Sequence, residues 1–163
     1  MPDFPGDQLQ FTADLMLKRL AKYLRALGYD TLFDEGLADH ELLAVSKEEN
    51  RVLLTRDLEL YEGTPAPYSF YVNSQYPNQQ FRLIAQHYPL EFDESRFMER
   101  CLECNTVLNI IPRDDLTKRV PPRVYKRHDT FYHCPACHQI FWHGDHVKRL
   151  REKLTRLLED AGG

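Results

Sequence analysis

Four cysteines, in two Cys-x-x-Cys pairs, limit what the second half of this chain can become. They are Cys101/Cys104 and Cys134/Cys137, and the 163 residues contain no others. A two-residue spacer lets both sulfurs of a pair face one ion. Two such knuckles brought together complete a closed tetrahedral S₄ site, the geometry of structural zinc. The 29 residues between the pairs exceed the usual ribbon loop of about 15–20. The competing readings are a redox dithiol or four unconnected thiols, but a redox dithiol comes once, beside a βαβ unit, and not twice in a Pro-rich stretch. The spacing therefore predicts Zn²⁺ held by Cys101, Cys104, Cys134 and Cys137.

The chain is long enough for one ordinary domain, or for a compact domain plus a module too small to build its own core. Zinc offsets that deficit in the smaller piece. No apolar run approaches the roughly 20 residues that cross a bilayer, so no membrane partner is expected. Met1 to Gln10 is acidic and Pro-containing, unlike a signal peptide. With reduced, metal-bound cysteines, this predicts a cytoplasmic location. The net charge of −4 conceals a division: residues 1–95 carry −8 and residues 96–163 carry +4. A basic module on an acidic body suits a polyanion held by one part and worked on by the other, although an excess of four charges also suits an ordinary solvated surface.

Along residues 1–95 strand and helix patterns alternate. Leu9–Ala13 reads as a strand closed by Asp14. From Leu15, the residues Met16, Leu17, Leu20, Tyr23, Leu24 and Leu27 form an apolar helical arc, and Gly28 ends it. Tyr29–Phe33 reads as a strand, and Asp39 as the N-cap of a helix running to about Glu49. Arg51–Thr55 is the expected central strand, Tyr68–Val72 another, and Pro77–Tyr88 a further helix. This order predicts βαβ crossovers and a mainly parallel α/β sheet flanked by helices. The alternation stops near Pro89–Arg96, which sets a boundary between residues 1–95 and 96–163. The second part is expected to be a small zinc ribbon with a terminal helix, whose face of Val147, Leu150, Leu154, Leu157 and Leu158 packs back onto a core.

In an open parallel sheet, chemistry belongs at the carboxyl ends of the strands. Asp14 and Asp57 directly follow predicted strands and Asp39 follows another, so all three are expected at one sheet edge. Gathered carboxylates repel unless a cation neutralises them, and hard oxygen donors select Mg²⁺ or Mn²⁺. Such an ion holds a phosphodiester and activates water. The plainer alternatives are helix caps for Asp14 and Asp39 and a turn for Asp57. Arg19 and Arg25, on the basic arc of the first helix, and Arg56, beside Asp57, are the candidate phosphate contacts; a solvated face is the alternative for that arc.

The stretch from Phe11-Thr-Ala-Asp14 through Arg19 and Arg25 to Gly28-Tyr-Asp30 resembles the opening of the Mut-seven carboxy-terminal RNase domain, a branch of PIN-like nucleases. Asp39-His-Glu-Leu-Leu, Arg51-Val-Leu-Leu-Thr-Arg-Asp57, the two knuckles and Ile140-Phe-Trp-His-Gly-Asp-His146 follow in matching order. The resemblance spans about residues 9–150. It implies a PIN-like α/β core with an attached zinc ribbon and metal-dependent RNA cleavage, with Asp14, Asp39 and Asp57 at the acidic positions. One departure is Asn73, where PIN-like nucleases often carry a fourth carboxylate. That departure sustains a second reading, a non-catalytic RNA- or ribosome-binding protein; a third makes the ribbon a protein-binding surface. Phe131, Tyr132, Phe141 and Trp142 flank the second knuckle, where aromatic rings serve either as ribbon core or as stacking surfaces for bases. Most of the histidines around the ribbon are expected at the surface or behind the metal ligands, since four thiolates already complete the zinc shell.

Overall fold

The structure, a computed structural model, describes residues 9–64, 68–116 and 118–162. The acidic segment up to Gln8 lies outside the described residues. Four strands, β1 (Phe11–Ala13), β2 (Thr31–Leu32), β3 (Val52–Thr55) and β4 (Ser69–Tyr71), form one sheet in the order β2-β1-β3-β4. Every pairing in it is parallel, with Phe11 opposite both Thr31 and Val52, and Leu53 opposite Ser69. The expected mixed α/β architecture with a parallel sheet is what forms. Because the chain leaves β1 to one side for β2 and then to the other for β3, the strand order reverses between β1 and β3. The crevice at their carboxyl ends is where such sheets place ligands.

Helices α1 (Lys18–Ala26), α2 (Asp39–Glu48), α3 (Leu58–Glu62) and α4 (Pro77–His87) connect and flank these strands. Side chains alternate across the sheet, so Phe11, Ala13, Val52 and Leu54 enter one core with Leu20 and Leu24 of α1 and with Phe81 and Ile84 of α4. On the opposite face, α2 meets β1 and β3 and buries Leu42 and Ser46. Helix α1 departs from its expected arc at the start. Asp14 caps a 3₁₀ turn, Leu15–Leu17, and the tighter winding shifts the phase of what precedes Lys18. Met16 is consequently 61% exposed and not in the core.

The far end of α1 is legible to the residue. The Gly28 N–H donates to the Arg25 carbonyl and the Tyr29 N–H to the Leu24 carbonyl, a Schellman closure. Gly28 has φ +95°, and a Cβ there would meet the Arg96 Cβ and carbonyl oxygen at 2.8 Å. Both the backbone angle and the close approach demand glycine. Gly28→Ala is expected to cost about 2 kcal/mol or more, read as a lower denaturant midpoint. An unchanged midpoint would mean that Arg96 does not pack there.

Beyond Pro89 the chain forms a second sheet, β5 (Asn109–Ile111), β6 (Phe131–His133) and β7 (Ile140–Phe141), antiparallel in the order β5-β6-β7. The short helix α5 (Pro122–Arg127) lies between β5 and β6. Helix α6 (Asp145–Gly162) then returns to the first sheet: Val147, Leu154 and Leu157 join the same core as Phe11 and Phe81. The terminal helix thus follows the ribbon in sequence but supplies apolar surface to the amino-terminal core. Among the described residues, no helix is long and apolar enough to cross a membrane.

Candidate functional site

The two knuckles are built alike. In the first, the Cys101 N–H donates to the Thr106 carbonyl and the Asn105 N–H to the Cys101 carbonyl; in the second, Cys134 pairs the same way with Gln139 and His138. The residue after each pair, Asn105 (φ +72°) or His138 (φ +64°), takes the left-handed conformation that turns the chain back. Asn and His are among the non-glycine residues that enter this region most readily. The result brings Cys101 Sγ to 3.7 Å from Cys137 Sγ and Cys104 Sγ to 3.3 Å from Cys134 Sγ. All four sulfurs lie within 4.8 Å of one another, and none is in a disulfide. A tetrahedron with Zn–S bonds of about 2.3 Å has edges of about 3.8 Å, so the four donors fit that ion. Burial pushes the Cys101 and Cys137 thiols up. Burial acts the same way on Cys104, but hydrogen bonds with Thr106 and neighbouring thiols outweigh it and pull Cys104 down to about 6.

The first knuckle is fastened to the edge of the parallel sheet. Asn105 Oδ1 accepts from the Thr31 N–H of edge strand β2 (3.0 Å), and Asn105 Nδ2 donates to Asp30 (2.6 Å). Arg51 donates to the same Asp30 oxygen at 2.8 Å. Burial alone would raise the Asp30 carboxyl, yet hydrogen bonds from Arg51 and Asn105 hold it below its ordinary range. A carboxylate whose folded pKa is depressed contributes stability above its unfolded value, about 3.9, and loses it as pH falls through the lower folded value. Asp30→Asn should therefore cost about 1–3 kcal/mol at pH 7. The difference from the parent chain should shrink below about pH 4, as the parent's Asp30 carboxylate becomes protonated. Thermal midpoints of the two chains across pH check this; a gap constant with pH would exclude it.

Arg25 joins the same junction. It is only 3% exposed, and it donates to the Thr31 carbonyl and to the Leu102 carbonyl of the knuckle, each at 2.9 Å. Two of its N–H groups are taken by these carbonyls, and its burial ties α1 to the knuckle, a structural role beside the expected one as a phosphate contact.

At the carboxyl edge of the parallel sheet, Asp14 is 6% exposed and fully engaged. Oδ1 accepts from the Met16 N–H at 3.0 Å, and Oδ2 from the Thr55 hydroxyl at 2.6 Å and the Arg56 N–H at 2.9 Å. Asp14 therefore spans the crevice between β1 and β3. Asp57 is exposed, accepts from the Leu60 N–H at 3.1 Å and caps α3. Asp39 is the first residue of α2 and not its N-cap, a position held by Ala38, and its exposed side chain is not spent on capping. Asp39 and Asp57 line one shallow cavity of about 220 Å³ with Leu43 and Thr64. Among the described residues, only the four thiols form a set of three or more donors within 4.8 Å of one another. The three aspartates share an edge without forming a closed cage. Asn73 is exposed beyond β4 and lines a different cavity.

The model of the Mut7-C RNAse domain family matches residues 9–154. The chain belongs to this family. No curated protein and no solved structure matches the chain. Membership places this Mut7-C domain among nucleases, with RNA as the substrate that the family description names.

Thr55 escapes notice in the sequence. Its buried hydroxyl donates to Asp14 and accepts from the Asp57 N–H at 2.9 Å, linking two of the three acidic positions. Only its place immediately before Arg56-Asp57 hints at this. Arg19 is exposed and Arg56 half-buried, and neither guanidinium has a hydrogen bond or ion pair among the described residues. Lys18 and Lys22, by contrast, pair with Glu35 (3.3 Å) and Glu103 (2.8 Å).

Proposed function

We propose that this chain is a Mg²⁺- or Mn²⁺-dependent ribonuclease with a PIN-like core, in which Asp14, Asp39 and Asp57 hold the ion and the zinc ribbon assists RNA binding. The observation that carries this reading is the engagement of Asp14 with the Arg56 N–H across the strand-order reversal, beside the cavity that Asp39 and Asp57 share. The donors are all hard oxygens, which suits such an ion. Magnesium keeps several of its waters and takes only one or two carboxylates directly, so an open arrangement of three is compatible with it. When bound, the ion would supply charge stabilisation and an activated water for attack at phosphorus.

The protein's own contribution is positional. Thr55 holds the Asp14 carboxylate in place, leaving the exposed carboxylates of Asp39 and Asp57 to face the cavity. Arg19 and Arg56, lacking protein partners among the described residues, serve as contacts to phosphates. Four thiols kept reduced around zinc suit a reducing compartment such as the cytoplasm. The test is cleavage of single-stranded and structured RNA with Mn²⁺, Mg²⁺ or chelator, comparing the parent chain with Asp57→Asn. Equal activity in the two would sink the assignment of the ion to this site, whether the cleavage came from a contaminant or from elsewhere in the chain. RNA binding without any cleavage would support the non-catalytic binding role.

A further inference from the structure

The unusually long stretch between the knuckles has a charge pattern that the ribbon itself does not need. From Lys118 to Arg127 it carries Lys118, Arg119, Arg123, Lys126 and Arg127, and no carboxylate. All five are exposed. Arg119 donates to the His138 carbonyl at 2.9 Å, which leaves its charge uncompensated. The other four have no hydrogen bond or ion pair among the described residues. Arg123, Lys126 and Arg127 fall on one face of α5 by helical spacing, with neighbours about 5–6 Å apart.

This segment is held, not loose. Arg113 donates to the His128 carbonyl, to Asp129 and to the Tyr125 carbonyl, and its guanidinium lies 4.3 Å from the Tyr125 ring centroid. Leu116 is fully buried at its base. Arg119 secures it to the second knuckle. Fixing like charges together costs self-repulsion unless a polyanion relieves it.

We propose that residues 118–127, bordered by Asp114 and Asp115 before and Asp129 after, form a pre-organised arm that docks the phosphate backbone of RNA, apart from the acidic sheet edge. The proposal rests on the ribonuclease reading for its choice of polyanion. Arg123, Lys126 and Arg127 lie on a short, clamped helix that buries none of its residues, and Lys118 and Arg119 lie in the turn before it. An interfacial membrane helix instead carries a broad apolar face. Sequence-independent neutralisation of phosphates is the recognition that such side chains provide.

The test uses the zinc-loaded full chain carrying Asp57→Asn, with fluorescently labelled single-stranded RNA and a salt series. Changing Lys118, Arg123, Lys126 and Arg127 together to Gln should weaken binding at least tenfold at low salt. It should also flatten the slope of log affinity against log salt by roughly 0.7 for each phosphate of a single strand that is no longer neutralised. Melting temperature and zinc content should be unchanged, since none of the four packs against a partner. A control with Lys148, Arg149 and Arg156, all exposed on α6, changed to Gln should keep the parent slope. A parent slope in the fourfold variant, an equal loss in the control, or no RNA binding by the parent would each overturn the arm. Cleavage is assayed separately with Asp57 intact. Cleavage combined with an arm-independent slope would sink the arm alone, whereas arm-dependent binding without cleavage would sink only the nuclease reading.

Discussion

Removing zinc, or replacing Cys104 with Ser, should unfold the ribbon while leaving most of the parallel sheet's core in place. The second sheet has strands of three, three and two residues, too short for independent stability. Its fully buried apolar side chains are few, with Phe131 and Leu116 foremost. The remaining constraint is the thiolate cluster, and structural zinc contributes about 10–16 kcal/mol of apparent binding free energy to small domains of this kind. Trp142, the single tryptophan, directly follows β7 and reports on the ribbon. Chelation should shift its emission and release one zinc per chain. The core should then lose the tie of Asn105 to β2 and that of the Leu102 carbonyl to Arg25, lowering the melting temperature of what remains. An unshifted Trp142 spectrum after complete metal removal would show that the ribbon folds without the ion.

What can be read in the sequence is local or periodic. The knuckles follow from spacing alone, Gly28 from its place after an apolar arc, and Asp14 and Asp57 from their places immediately after strands. What cannot be read depends on partners distant in the chain. Arg25 lies on the polar arc of α1 and looks solvated, because nothing nearby reveals that the Leu102 carbonyl arrives from 77 residues away. Asp30 has no marked role in the local pattern, yet it collects Arg51 and Asn105 at the junction with the knuckle. Helix α3, five residues long, is too short to show a period. Met16 falls outside its expected arc because a single 3₁₀ turn shifts the helical phase. The return of α6 is visible in its apolar face, but the surface that receives it is not.

Asp57→Asn should lower metal-dependent RNA cleavage at least about 100-fold while leaving the melting temperature unchanged; even losing a partner of a metal ligand typically costs 10–100-fold. The reason for choosing this position is geometric. Asn is as good an N-cap as Asp, so the acceptor for the Leu60 N–H survives and α3 stays capped. Only the charge facing the cavity is removed. Asp39→Asn should behave alike, because its side chain is exposed and is not the cap of α2. Asp14→Asn should differ. Both of its oxygens accept, and an amide would aim a donor at either the Met16 N–H or the Arg56 N–H, neither of which can accept in return. That mismatch should add about 1–3 kcal/mol of instability to the loss of activity. The three variants together separate chemistry from scaffold: activity lost in all, stability lost only at Asp14. If Asp39→Asn and Asp57→Asn both retain full Mn²⁺-dependent cleavage, the ion is not held at this edge of the sheet.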